Sequence, residues 1–178
     1  MDALIVVDVQ NDFCPGGALA VQGGDEVVEI VNRMAREYEL VVATRDWHPP
    51  DHGSFAERGG PWPVHCVQGT EGAELHPRLE RENLDVVIDK GQDPATEGYS
   101  GFEATELERL LRDRGVDRVH VVGLALDVCV KNTALHAKRA GFETVVHLDA
   151  TRAVNVEPDD GDTAALELVV AGVEVLEG

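Results

Sequence analysis

The chain has 178 residues with 34 acidic against 15 basic side chains, a formal net charge of −19, and 43% hydrophobic residues. That length suits one domain spanning residues 1–178 with a core of its own, while so acidic a surface argues against nucleic acid or anionic membrane as a partner. No apolar run approaches the ~18 residues of a membrane span and no basic-then-apolar leader opens the sequence, so the expected location is the cytoplasm, where three cysteines do not make a disulfide framework.

In chain order, the first short β-branched run is 4–7, the pattern of a strand buried on both faces. Helical spacing follows at Val27, Ile30, Val31 and Met34, then a second strand at 40–43. Residues 45–83 carry no long element but hold both tryptophans and four of the seven histidines. A long irregular segment inside a compact domain is usually functional. A third strand covers 86–88, and Ala104, Leu107, Leu110 and Leu111 mark a second helix. A fourth strand at 119–122 leads to an Ala-rich helix, 129–140, stopped by Gly141. A fifth strand at 145–148 precedes a helix over 158–171 that opens with Pro158 and ends at Gly172. A short sixth strand closes the series at 173–176. Strand and helix in alternation predict an α/β fold of three α/β/α layers: a Rossmann-like open parallel sheet of about six strands with helices on both faces.

In such sheets ligands bind beyond the carboxyl ends of the strands. Asp8 follows the first run, residues 44–48 the second, Asp89 and Lys90 the third, and residues 123–129 the fourth. An acid, a lysine and a cysteine therefore meet on one edge. Cys129, in the first turn of its helix, is expected to have a lowered thiol pKa from the helix dipole and free N–H groups. Asp8 is the nearest base by topology, with Lys90 steadying both. Asp46 and His48, two residues apart, point to one side of an extended chain. With His52 close by and His65 further on, they form an open-site donor set that suits zinc, iron or manganese. Cys66, Cys14 and the histidines at 76, 120, 136 and 147 are expected to be structural.

The motifs Asp8-Val9-Gln10-Asn11-Asp12-Phe13, Arg45-Asp46-Trp47-His48-Pro49 with His52, Trp62-Pro63-Val64-His65-Cys66, Lys90-Gly91, Tyr99-Ser100-Gly101-Phe102 and Gly123-Leu124-Ala125-Leu126-Asp127-Val128-Cys129 occur in that order. Together they resemble the nicotinamidase branch of the isochorismatase-like cysteine hydrolases, over nearly the whole chain. The resemblance implies that Asp8, Lys90 and Cys129 are the catalytic triad. It implies one divalent metal, usually zinc and sometimes iron or manganese, on Asp46, His48 and His65. His52 is a ligand in only some members and is left open. Phe13 and Trp62 would flank a pyridine ring, with Leu124 and Ala125 also at the substrate. The Leu124–Ala125 bond matches a cis peptide in the family, and the N–H groups of Ala125 and Cys129 match its oxyanion donors. Leu126 and Val128 depart from the commoner Thr and aromatic, which bears on pocket shape.

The implied reaction is hydrolysis of nicotinamide to nicotinate and ammonia through a Cys129 thioester, with pyrazinamide also fitting. The partner is then a small heteroaromatic amide, and a homo-oligomer is left open. One alternative is an amide hydrolase of the same family acting on a carbamoyl or ureido acid, which needs a cation for the carboxylate. The other, from a different class, is a non-catalytic metal- or ligand-binding module.

Overall fold

The apolar runs become six strands in a computed structural model of residues 1–178. They are β1 (Asp2–Val7), β2 (Val41–Asp46), β3 (Val86–Lys90), β4 (Arg118–Leu124), β5 (Glu143–Arg152) and β6 (Glu174–Leu176). All pair in parallel, in the order β3-β2-β1-β4-β5-β6. The α-helices are α1 (Val27–Ala35), α2 (Leu107–Asp113), α3 (Lys131–Arg139) and α4 (Asp160–Val170). None is long and apolar enough to cross a membrane.

Ala3 through Val7 are all fully buried, because a central parallel strand has no solvent side. Alternation sends Ala3, Ile5 and Val7 into one core, with Leu107 and Leu111 of α2, Ala134 and Ala137 of α3, and Ala164 and Leu168 of α4. Leu4 and Val6 enter a second core with Val27, Val28 and Val31 of α1. A nine-residue helix cannot roof six strands. The rest of that second core is closed by Cys66, Ala73, Leu75 and Leu79 from the long irregular segment. Helices do lie on both faces, but that segment is part of one layer.

Several boundaries differ from the periodicity. The second helix begins at Leu107 rather than Ala104, whose φ of 55° is not helical. β2 and β3 run on to Asp46 and Lys90, which face each other as register partners instead of lying in loops. β5 continues to Arg152, and its register against β4 shifts between Val121 and Gly123. Gly123 has φ 107°, and a Cβ there would sit 2.1 Å from the Val7 carbonyl oxygen, so only glycine lets β4 approach β1 this closely. The strand order reverses between β1 and β4, which makes their carboxyl ends the topological switch point and the natural crevice of the fold.

Candidate active site and metal centre

The crevice gathers side chains from the ends of β1, β2, β3 and β4. Lys90 is its hub. The Lys90 Nζ lies 2.8 Å from Asp8 Oδ2, 2.6 Å from Asp46 Oδ1, 2.8 Å from the Gly98 carbonyl and 3.5 Å from Cys129 Sγ. Asp8 and Lys90 are 0% and 1% exposed, so water does not screen these contacts. The Thr44 hydroxyl donates to Asp8 Oδ1 at 2.7 Å. The other carboxylate oxygen, Oδ2, faces the Lys90 ammonium at 2.8 Å, with the Cys129 thiol near enough to Asp8 to pass it a proton. The reactive atoms of Asp8, Asp46 and Cys129 all lie within 4.8 Å of one another.

Cys129 differs from its expected setting. It lies within a single π-helical turn, Leu126–Val130, ahead of α3. Such turns recur at functional sites. It is nearly buried, and burial pushes its thiol well above the ordinary range, with Asp8 and Asp46 adding to the rise and Lys90 opposing it. Burial thus acts against the lowering expected of a helix terminus, and a carboxylate base within reach of the sulfur, Asp8, is what the arrangement offers to take the thiol proton. Burial first, then the neighbouring Asp46 charge, raises Asp8 against the pull of Lys90. Burial would raise Asp46 too, but the Lys90 ammonium beside it overcomes that and holds the carboxylate well below its usual range. The carboxylates likewise overcome burial at Lys90 and hold its ammonium well above the lysine range.

The second cluster adjoins the first through Asp46. His48 Nδ1 donates to the Gly91 carbonyl at 2.7 Å and His65 Nδ1 to the Pro63 carbonyl at 2.7 Å. A carbonyl can only accept, so each neutral ring keeps its proton on Nδ1 and bares the Nε2 lone pair. Those lone pairs lie 3.3 Å and 3.8 Å from Asp46 Oδ2. Three buried acceptors facing one another repel unless a cation stands among them, and two imidazoles with one carboxylate are a zinc-type donor set. Gly91 is needed here, since a Cβ would lie 2.5 Å from His48 Cε1. Gln10 braces the strand end: its Nε2 donates to the Asp46 carbonyl and its Oε1 accepts from the Asp46 N–H.

His52 does not join that set. Its ring stacks on His48 at 3.9 Å, and its Nδ1 is 2.7 Å from the Ser54 hydroxyl and accepts the Ser54 N–H. Burial lowers its pKa to about 4. It backs His48 as a neutral ring.

The cavity above both clusters is walled by Phe13, Trp62, Tyr99, Val128 and Val154, with Ala125, Cys129, His48 and His65 at its base. Trp62 Nε1 donates to the Tyr99 hydroxyl at 3.0 Å, tying two aromatic walls together. The Leu124–Ala125 bond is cis, and the Ala125 N–H finds no acceptor in the chain. Leu124 is a correction: its side chain is fully buried in the α1-side core and is not on the cavity wall. Of the two departures beside the nucleophile, Val128 lines the cavity while Leu126 packs into the opposite core. Val154 has no signal in the sequence. It is presented by the loop after β5, whose Val154 and Asn155 N–H groups both donate to Asp127 at 2.8 Å.

A parallel α/β sheet with a buried thiol, carboxylate and ammonium at its switch point defines a class of hydrolytic enzymes. The chain belongs to the isochorismatase family, whose Isochorismatase domain matches residues 2–177. Within that family it is similar to enzymes named for one amide. It is 46% identical to the nicotinamidase/pyrazinamidase of Mycobacterium tuberculosis, over 99% of this chain and 98% of that one. It is 42% identical to the nicotinamidase of Escherichia coli, over 96% of this chain and 92% of the relative. Among solved structures, the pyrazinamidase of Pyrococcus horikoshii in complex with zinc superposes with a TM-score of 0.92 at 47% identity, covering 99% of both chains.

Proposed function

We propose that this chain hydrolyses nicotinamide to nicotinate and ammonia, and accepts pyrazinamide, with Cys129 as nucleophile, Asp8 as general acid and base, and Lys90 as a fixed cation. The observation that carries the reading is the buried Lys90 ammonium, held 2.8 Å from Asp8 and 3.5 Å from the sulfur of Cys129, which itself lines an aromatic-walled cavity. Asp8 Oδ2 takes the thiol proton as the sulfur bonds to the amide carbon. The N–H groups of Ala125 and Cys129 receive the oxyanion, each donor contributing about 3 kcal/mol. Asp8 passes its proton to the amide nitrogen, the C–N bond breaks and ammonia leaves a thioester. Asp8 then accepts a proton from attacking water, the C–S bond breaks to give nicotinate, and the proton returns to sulfur. Lys90 stays charged throughout and keeps Asp8 placed while its charge changes.

Asp46, His48 and His65 are the residues that would hold a divalent metal, for which we assign zinc, with iron or manganese as substitutes the same donors accept. When bound, that ion supplies an open coordination position for the pyridine nitrogen, which orients the ring so that its carboxamide meets Cys129. Phe13 and Trp62 supply the apolar faces for the ring.

A carbamoyl or ureido acid fits less well. The cavity wall carries Asp46 and Glu97 and no arginine or lysine. Arg45 is turned away: it pairs with Asp89 and stacks on Trp47 at 3.9 Å. A purely binding role leaves the Asp8–Lys90–Cys129 arrangement without a use. The test is nicotinate and ammonia release by purified protein, alongside a carbamoyl acid and the Cys129→Ala variant. Release from nicotinamide that Cys129→Ala abolishes is the expected result. Turnover of the carbamoyl acid alone, or none at all by metal-loaded protein, refutes the assignment.

A further inference from the structure

We propose that α4 is a self-association surface whose occupant is α4 of a second copy, packed antiparallel about a two-fold axis. The helix buries Gly161, Ala164 and Leu168 against the sheet. At 3.6 residues per turn, Asp159, Asp162, Leu166, Val169 and Val170 fall on the opposite face. A surface helix ordinarily turns charged or polar residues outward there. Here Leu166, Val169 and Val170 are 64%, 55% and 79% exposed and adjoin one another. Contiguous exposed apolar side chains on a soluble domain mark an interaction surface.

Charge selects the occupant. The amino-terminal end of the stripe carries Asp159, Asp160 and Asp162. At the carboxyl end stands Lys138 of α3, whose Nζ is 3.7 Å from where a Cβ on Gly172 would be. The chain has three lysines. Lys90 is buried in the active site and Lys131 pairs with Glu167 at 2.9 Å, whereas Lys138 is exposed and has no ion pair. Two exposed cations without an ion pair, Lys138 and its neighbour Arg139, thus lie toward one end of an apolar stripe whose other end is acidic. Antiparallel pairing centred on Leu166 sets Asp162 opposite Val170 and Asp159 opposite Val173, beside the partner's Lys138. The two-fold axis repeats each contact. A helix of 11 residues is only ~16 Å long, so the contact falls short of the ~1,000 Å² of a stable interface. The dimer is therefore weak and set by concentration.

Sedimentation equilibrium of the full chain from ~1 μM to ~1 mM, at moderate salt, tests this. The weight-average mass should rise from monomer toward dimer, and Leu166→Glu should remain monomeric throughout with an unchanged circular dichroism spectrum. Asp162→Lys and Lys138→Glu should each weaken the dimer about fivefold, and the two together should restore it. Asp162→Lys reduces the charge of each copy, so weakening by it cannot come from overall repulsion. A wild-type chain that stays monomeric, a dimer untouched by Leu166→Glu, or a double charge variant that sums the two losses overturns the proposal.

Discussion

β1 and β4 carry polar clusters toward both of their ends, and the two clusters behave differently. Toward the amino end, His120 Nε2 lies 3.3 Å from Asp2 Oδ2, His120 Nδ1 lies 2.9 Å from His147 Nε2, and Tyr38 meets the His120 ring edge-on. At the carboxyl end, Asp8, Lys90, Asp46 and Cys129 crowd within similar distances. The difference is water. The Asp2 side chain is 50% exposed, so solvent shares the work of every contact it makes. Asp8 and Lys90 have no such substitute, so each charge is held by fixed protein groups, chiefly another charge, and every proton has a small set of places to go. An aspartate at one edge shares its partners with water and at the other faces only protein groups, because burial removes the competing solvent.

The sharpest way to break the carboxyl-end cluster is at the nucleophile. Cys129→Ala should lower nicotinamide turnover by ~10⁴-fold or more, with metal content unchanged. Asp8→Asn should lose a similar amount, and the pair should be hardly worse than either alone, since residues acting as a unit are not additive. Steady-state and single-turnover rates check this, and multiplicative losses would show that the two act separately.

Lys90→Ala extends the contrast to stability. It leaves Asp8 and Asp46 as uncompensated buried carboxylates and should cost about 3–5 kcal/mol of folding free energy as well as activity. A position at a strand end suggests the sheet would tolerate the loss, but the burial of Lys90 reverses that expectation. His120→Ala at the other edge should cost less than ~1 kcal/mol. Urea midpoints of the two variants give the comparison directly, and equal losses would sink the argument from water.

His48→Ala or chelation should reduce bound metal from about one per chain to none by elemental analysis, and should cost roughly 10²-fold in turnover, because orientation is lost. Benzamide lacks the ring nitrogen and should be a poor substrate of the holoenzyme. The preference for nicotinamide over benzamide should collapse on chelation. His52→Ala should keep the metal.

The smallest effect comes from histidines outside the site. Burial first, aided by nearby Arg78, Arg139 and His120 respectively, holds His76, His136 and His147 below the ordinary histidine range. As pH falls, the unfolded chain binds these protons before the folded one does. The stability they contribute is complete above the unfolded value near 6.5 and is lost as pH drops below it toward the folded values. The urea midpoint of metal-free protein should therefore fall between pH 7 and pH 5, and less so in a His136→Gln, His147→Gln variant. An unchanged slope in that variant would assign the loss to other groups.

The strands, the parallel α/β class and the edge on which Asp8, Lys90 and Cys129 gather were legible in the sequence because each rests on local pattern. Short β-branched runs make buried strands, helical spacing between them enforces parallel crossovers, and the crossovers fix which strand ends share an edge. The donor set Asp46, His48 and His65 was legible through motifs in order along the chain. Other features were settled only when distant segments met. Lys90 became a bridge between two carboxylates because β2 and β3 run longer than their apolar cores and pair Asp46 with Lys90. Burial, which no local pattern reports, pushes the Cys129 thiol up, against the direction expected from its place at a helix start. His52 fell behind His48, and Leu124 turned into the core. Val154 reached the cavity on a loop tied by Asp127. Pattern along a chain encodes which face of an element is apolar. How far a group is desolvated, and which charges then face it, depends on the packing of segments that the chain separates by tens of residues.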